Sequence, residues 1–114
     1  MQYMILIYED EAGYGDQADS PEMQAIVAKH YELAGSIGDR MKGGAGLQPT
    51  ATATTVRTEG GRQTIHDGPF AETREQLGGY YVIEAVDLDE AIAFAKQVPV
   101  RLDGSVEIRP LIAK

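Results

Sequence analysis

The chain has no cysteine, only two histidines, and ten lysines and arginines against eighteen aspartates and glutamates. The lack of cysteine excludes disulfides, thiolate metal sites and cysteine nucleophiles. The shortage of cations leaves a formal net charge of −8. Such a surface repels a phosphate backbone, and no lysine or arginine cluster offsets this, so no nucleic-acid partner is expected. Two histidines far apart give no recognisable ligand spacing, and neither a metal nor a cofactor is expected. No apolar run approaches the roughly 20 residues a membrane helix needs. The N-terminal MQYMILIYEDE lacks the basic region of a signal peptide. The expectation is a cytoplasmic protein with no membrane contact. The glycine-rich Gly43-Gly44-Ala45-Gly46 lacks the lysine and hydroxyl residue of a phosphate loop and precedes no helix, so it is not read as one.

What is present fits a single domain over residues 1–114, with 43% hydrophobic residues to build one core. The apolar run Tyr3 to Tyr8 reads as a strand buried on both faces, followed by a polar, glycine-bearing loop over 11–19. Ser20-Pro21-Glu22 is a helix start, with an N-cap hydroxyl, proline at the first helical position and acid in the first turn. Met23, Ile26, Val27, His30, Ala34 and Ile37 then fall on one helical stripe, and Gly35 and Gly38 mark its end. Residues 43–57 read as a strand broken near Pro49, Thr58 to Gly61 as a hairpin turn, and Arg62 to His66 as the returning strand. Gly78 to Val86 is a long strand. Asp87 and Glu90 have capping-box spacing before a helix over Leu88 to Val98, with Leu88, Ala91, Ile92, Ala95 and Val98 as its apolar stripe. Pro99 stops it, and Ser105 to Pro110 is the last strand.

Two split βαβ units with a hairpin inserted between them predict a ferredoxin-like α+β sandwich, with both helices on one sheet face. The strands Tyr3–Tyr8 and Tyr80–Val86 are nonetheless apolar on both faces, apart from Glu84. Soluble monomers rarely leave such a surface in water. A homodimer joined face to face through the sheet is expected.

The run DGPFAETREQLGGYYVIEA, from Asp67 to Ala85, is the most distinctive in the chain. Gly68 precedes a proline and is pushed toward extended or turn geometry; Pro69 fixes its own φ and removes an amide donor. The backbone is therefore constrained where Asp67 is presented. DGPFAE at 67–72, Leu77-Gly78-Gly79-Tyr80, Asp89-Glu90-Ala91 and Val106-Glu107-Ile108-Arg109-Pro110, with Gly46-Leu47, Pro49 and Thr54 to Arg57, carry a resemblance over nearly the whole length. The chain resembles the DGPF branch of YCII-related proteins, small bacterial members of the dimeric α+β barrel superfamily. The resemblance implies a ferredoxin-like fold that dimerises into a barrel, and a cleft lined by an aspartate and a histidine. It also implies an association with extracytoplasmic-function sigma factors. It assigns no reaction.

Asp67 is the leading candidate for chemistry, as a general acid or base or as a ligand for a polar substrate; the alternative is an Asx turn that fixes the loop. His66 is adjacent, but successive side chains on a strand point to opposite faces, so the pair shares a pocket only if the chain already turns at Asp67. His30 lies on the apolar stripe of the first helix, where a histidine is packed with one nitrogen satisfied or completes a dyad with Asp67. Glu72 and Glu75 share a face if they lie on a helical turn, and paired carboxylates can divide acid and base roles. Glu72 otherwise pairs with Arg74 or Arg109. Arg109 offers a bidentate fork to a substrate carboxylate, or closes an ion pair with Glu72 or Glu107. Two functions follow. One is a cofactor-free enzyme acting on a small polar metabolite, with Asp67 as acid or base, His30 and His66 as candidate partners, and Glu72 and Arg109 as substrate-binding groups. The other is a non-catalytic binding or regulatory module, accessory to a sigma factor.

Overall fold

A computed structural model describes residues 1–14, 20–101 and 103–113. Alternation decides the first strand, β1 (Gln2–Glu9). Tyr3, Ile5 and Ile7 are buried, while Met4, Leu6 and Tyr8 on the other face are only half-buried. The helix α1 (Pro21–Ile37) begins where Ser20 Oγ accepts the Met23 amide at 3.1 Å, with Pro21 in the first turn. A short strand β2 (Met41–Gly46) follows. The hairpin strands β3 (Thr54–Glu59) and β4 (Arg62–Asp67) turn at Gly60-Gly61, where both φ angles are positive, the geometry of a two-residue type I′ hairpin. Strand β5 (Gln76–Glu84) leads to α2 (Leu88–Ala95), whose first turn is capped by Asp87 Oδ1 accepting the Glu90 amide at 2.9 Å. Strand β6 (Gly104–Pro110) closes the fold. Residues 15–19 of the expected loop lie outside the described residues; 11–14 form a single 3-10 turn.

The main sheet runs β2-β5-β1-β6, all antiparallel. That is the ferredoxin-like order once the hairpin is set aside. Both helices cover the same face, where Ile5 and Ile83 are fully buried and Tyr3, Ile7, Leu33, Tyr81 and Phe94 are the core's other larger members. The stripe of α1 is rotated relative to the sequence expectation: Leu33 is buried and Val27 is exposed. On α2 the expected Ala91 and Ala95 are buried, joined by Phe94, while Leu88 is half-exposed. The uncovered sheet face carries two cross-strand rows fixed by register, Gly43–Val82–Met4–Arg109 and Ala45–Tyr80–Leu6–Glu107. Each row grades from a small residue through apolar ones to a charge.

β3 and β4 form a second sheet of their own. Their residues are exposed except for half-buried Thr55. This arm accounts for a radius of gyration of 15.7 Å, where a compact chain of this length has about 13 Å.

Candidate functional site

The DGPF turn sits at the base of the arm. The Gly68 amide donates to the Ala53 carbonyl at 2.7 Å, and Thr55 Oγ1 donates to the Gly68 carbonyl at 2.7 Å. Arg57 Nη2 reaches the Phe70 carbonyl at 3.4 Å. Gly68 has φ +125°, a value closed to residues with a Cβ, so the sequence Gly-Pro sets a turn that other residues would strain. Both backbone groups of Gly68 are thus tied into the arm. The Asp67 carboxylate is exposed and has no hydrogen bond or ion pair among the described residues. It does not form the Asx turn that a purely structural role entails.

His66 and Asp67 both belong to β4 and face opposite sides of the arm. The His66 ring lies over Gly68, its Nε2 3.4 Å from where a Cβ would stand. His30 is held elsewhere, against the covered face of the sheet. Its Nδ1 is 2.5 Å from the Tyr81 hydroxyl, with the ring centroids 5.8 Å apart. Burial lowers its proton affinity below the ordinary value, opposed by the charge of Glu9 and a hydrogen bond to the Pro99 backbone. Burial also raises the pKa of Tyr81, so the hydroxyl keeps its proton. Neutral His30 accepts from the Tyr81 hydroxyl at Nδ1. No contact joins His30 to Asp67 among the described residues.

Space for this pair is made by Gly44: a Cβ there would stand 2.8 Å from the Tyr80 carbonyl and 2.9 Å from Tyr81 Cδ1. Beside it, Glu9 Oε2 accepts the Arg101 amide at 2.6 Å, and Arg101 Nε donates to Glu22 Oε1 at 2.5 Å. This tethers the segment after α2 to β1 and α1. Tyr81, inside β5, Glu9, at the end of β1, and Arg101, after α2, carry no local sequence signal for this cluster, which forms only through the fold.

Glu72 is exposed with no ion pair to Arg74 or Arg109 among the described residues. Glu75 accepts from Ser105 Oγ at 2.9 Å. Arg109 is exposed on the open sheet face, also without an ion pair among the described residues. Its neighbour two residues back, Glu107, accepts from the Tyr8 hydroxyl at 3.2 Å. Burial and the Glu107 charge raise the pKa of Tyr8, and Arg109 opposes them. A cavity of about 100 Å³ lies between α1, β5 and α2, lined by Ile37, Ile83, Phe94 and the Arg40–Glu90 ion pair (2.9 Å) among others. None of the five candidate residues lines it. Among the described residues, no three carboxylate or imidazole groups gather as a metal site, and no helix is long and apolar enough to cross a membrane.

The family model of the YCII-related domain matches residues 1–113. An uncharacterised protein of Rhizobium meliloti (strain 1021) is 39% identical over 118 residues, covering 97% of this chain and 92% of that protein.

Proposed function

From the membership of this chain in the YCII-related family, we propose that it works as a homodimer joined through its open sheet face. In this reading it binds a small polar metabolite at the DGPF turn, with Asp67 as the acid–base or ligand-binding carboxylate. The observation that carries the reading is the contrast within one turn: the backbone of Gly68 is fixed at both its polar groups, while the adjacent carboxylate is left without a partner. A turn built only for structure spends that carboxylate on its own amides. Arg109 supplies a guanidinium for an acidic group of the ligand. Glu72, His66 and His30 have weaker claims, His30 because its ring is already engaged.

Asp67→Asn tests this. The residue is exposed and unbonded, so the variant keeps its stability within about 0.5 kcal/mol. Thermal shifts are measured for wild type and variant against a panel of small carboxylic acids, amines and hydroxy acids. At 100 times its dissociation constant a ligand adds about 2.7 kcal/mol, several degrees in Tm. A compound that stabilises wild type and not the variant supports the reading; equal stabilisation of both removes Asp67 from the site.

A second reading, a non-catalytic module acting on a protein partner such as a sigma factor, is favoured by one observation. The cavity between the helices and β5 does not include Asp67. There, Asp67→Asn leaves all binding unchanged.

A further inference from the structure

The arm carries an apolar surface that the protomer does not cover. Register places Val56 opposite Ile65 and Thr54 opposite Asp67, and these two pairs share one face of the hairpin. Val56 is 59% exposed and Ile65 76%. A lone two-stranded hairpin is marginal in water, so an arm this open needs a surface to lie on.

The open sheet face offers one of matching pattern. Met4 is flanked by Val82 on one side and Arg109 on the other, so an apolar pair stands next to an unpaired cation. On the arm an apolar pair stands next to an unpaired anion. Ile65 and Asp67 are two residues apart on one strand, about 7 Å, and Met4 and Arg109 are direct cross-strand neighbours, about 5 Å, a difference that side chains as long as Met and Arg span. Glu107 forms no ion pair with Arg109 among the described residues; its carboxylate accepts from Tyr8. Arg57 and Arg62 project from the other side of the arm, with Arg57 3.7 Å from Glu59. The molecule is a slab of 42 × 41 × 21 Å, whose broad face exceeds the roughly 800 Å² a side that a standard interface buries.

We infer that the β3–β4 arm of each protomer lies across the open sheet face of a second copy, with Asp67 set against the partner's Arg109. This rests on the homodimer proposed above and makes its ligand site composite: the carboxylate comes from one chain and the guanidinium from the other. A ligand with an acidic group and an exchangeable proton fits between them.

Sedimentation at micromolar concentration tests it with Asp67→Arg and Arg109→Asp. Each reversal alone sets like charges together twice in the dimer, and its dissociation constant rises at least ~10-fold. Mixed in equal amounts, the two variants form a heterodimer in which both contacts are again opposite in sign, and dimer returns. Wild-type-like association of either single variant, or a mixture that stays monomeric, overturns the arm contact while a dimeric wild type leaves the sheet-face reading standing. A monomeric wild type overturns both. Both residues are exposed in the protomer, so the variants keep wild-type circular dichroism. Should either fail to fold, Val56→Ser with Ile65→Thr replaces it: weaker association supports the contact, and unchanged association overturns it.

Discussion

His30 stands where the inward stripe of α1 otherwise places apolar side chains, and its Nδ1 is held by the Tyr81 hydroxyl at 2.5 Å. Its position on that stripe was legible from spacing alone. Its partner was not, because Tyr81 is 51 residues away and only the pairing of β5 beside β1 brings it under the helix. Burial, outweighing Glu9 and the Pro99 backbone, holds the proton affinity of His30 below its ordinary 6.5. The unfolded chain therefore takes up this proton more readily than the folded one, and stability falls as the pH drops from about 6.5 through the lower folded value. Urea unfolding of wild type should show a steeper loss between about pH 7 and about pH 5 than His30→Gln. Equal slopes contradict the account. Asp67 differs: its residue type and the Gly-Pro after it marked the turn, but only the hydrogen bonds of Gly68 separate a held backbone from an unbonded carboxylate.

At the scale of elements, start signals were the most legible features because they are local. Ser20 and Asp87 each cap the helix that their sequence context indicates. Asp87→Ala should cost about 1 kcal/mol in chemical denaturation, with the six strands retained; no loss means that the cap is replaced by water. Rotation of α1 was less legible. At 3.6 residues per turn, Val27 and Leu33 lie at opposite edges of one apolar arc, and the sheet beneath decides which edge is buried. The strand pair around Gly60-Gly61 was legible as a hairpin. Its detachment from the main sheet was not: alternation of Thr54 to Glu59 shows two faces, and nothing local says that neither face is covered within the chain. Gly44 has the same character, since its need for a bare backbone comes from Tyr80 and Tyr81 across β5.

For the whole molecule, the antiparallel order β2-β5-β1-β6 and the placement of both helices on one side followed from the element sequence, because split βαβ connections leave few alternatives. The same arrangement leaves Met4, Leu6, Tyr80 and Val82 half-buried on the open face, in rows bounded by Glu107 and Arg109. A second apolar surface projects on the arm. Both are unusual for a chain that functions alone, and the proposed second copy would cover both. The central claim is therefore association through the open sheet face. Sedimentation equilibrium of the wild-type chain at micromolar concentration measures it directly. The account predicts a species of twice the 12.3 kDa chain mass; a single species at the monomer mass contradicts it.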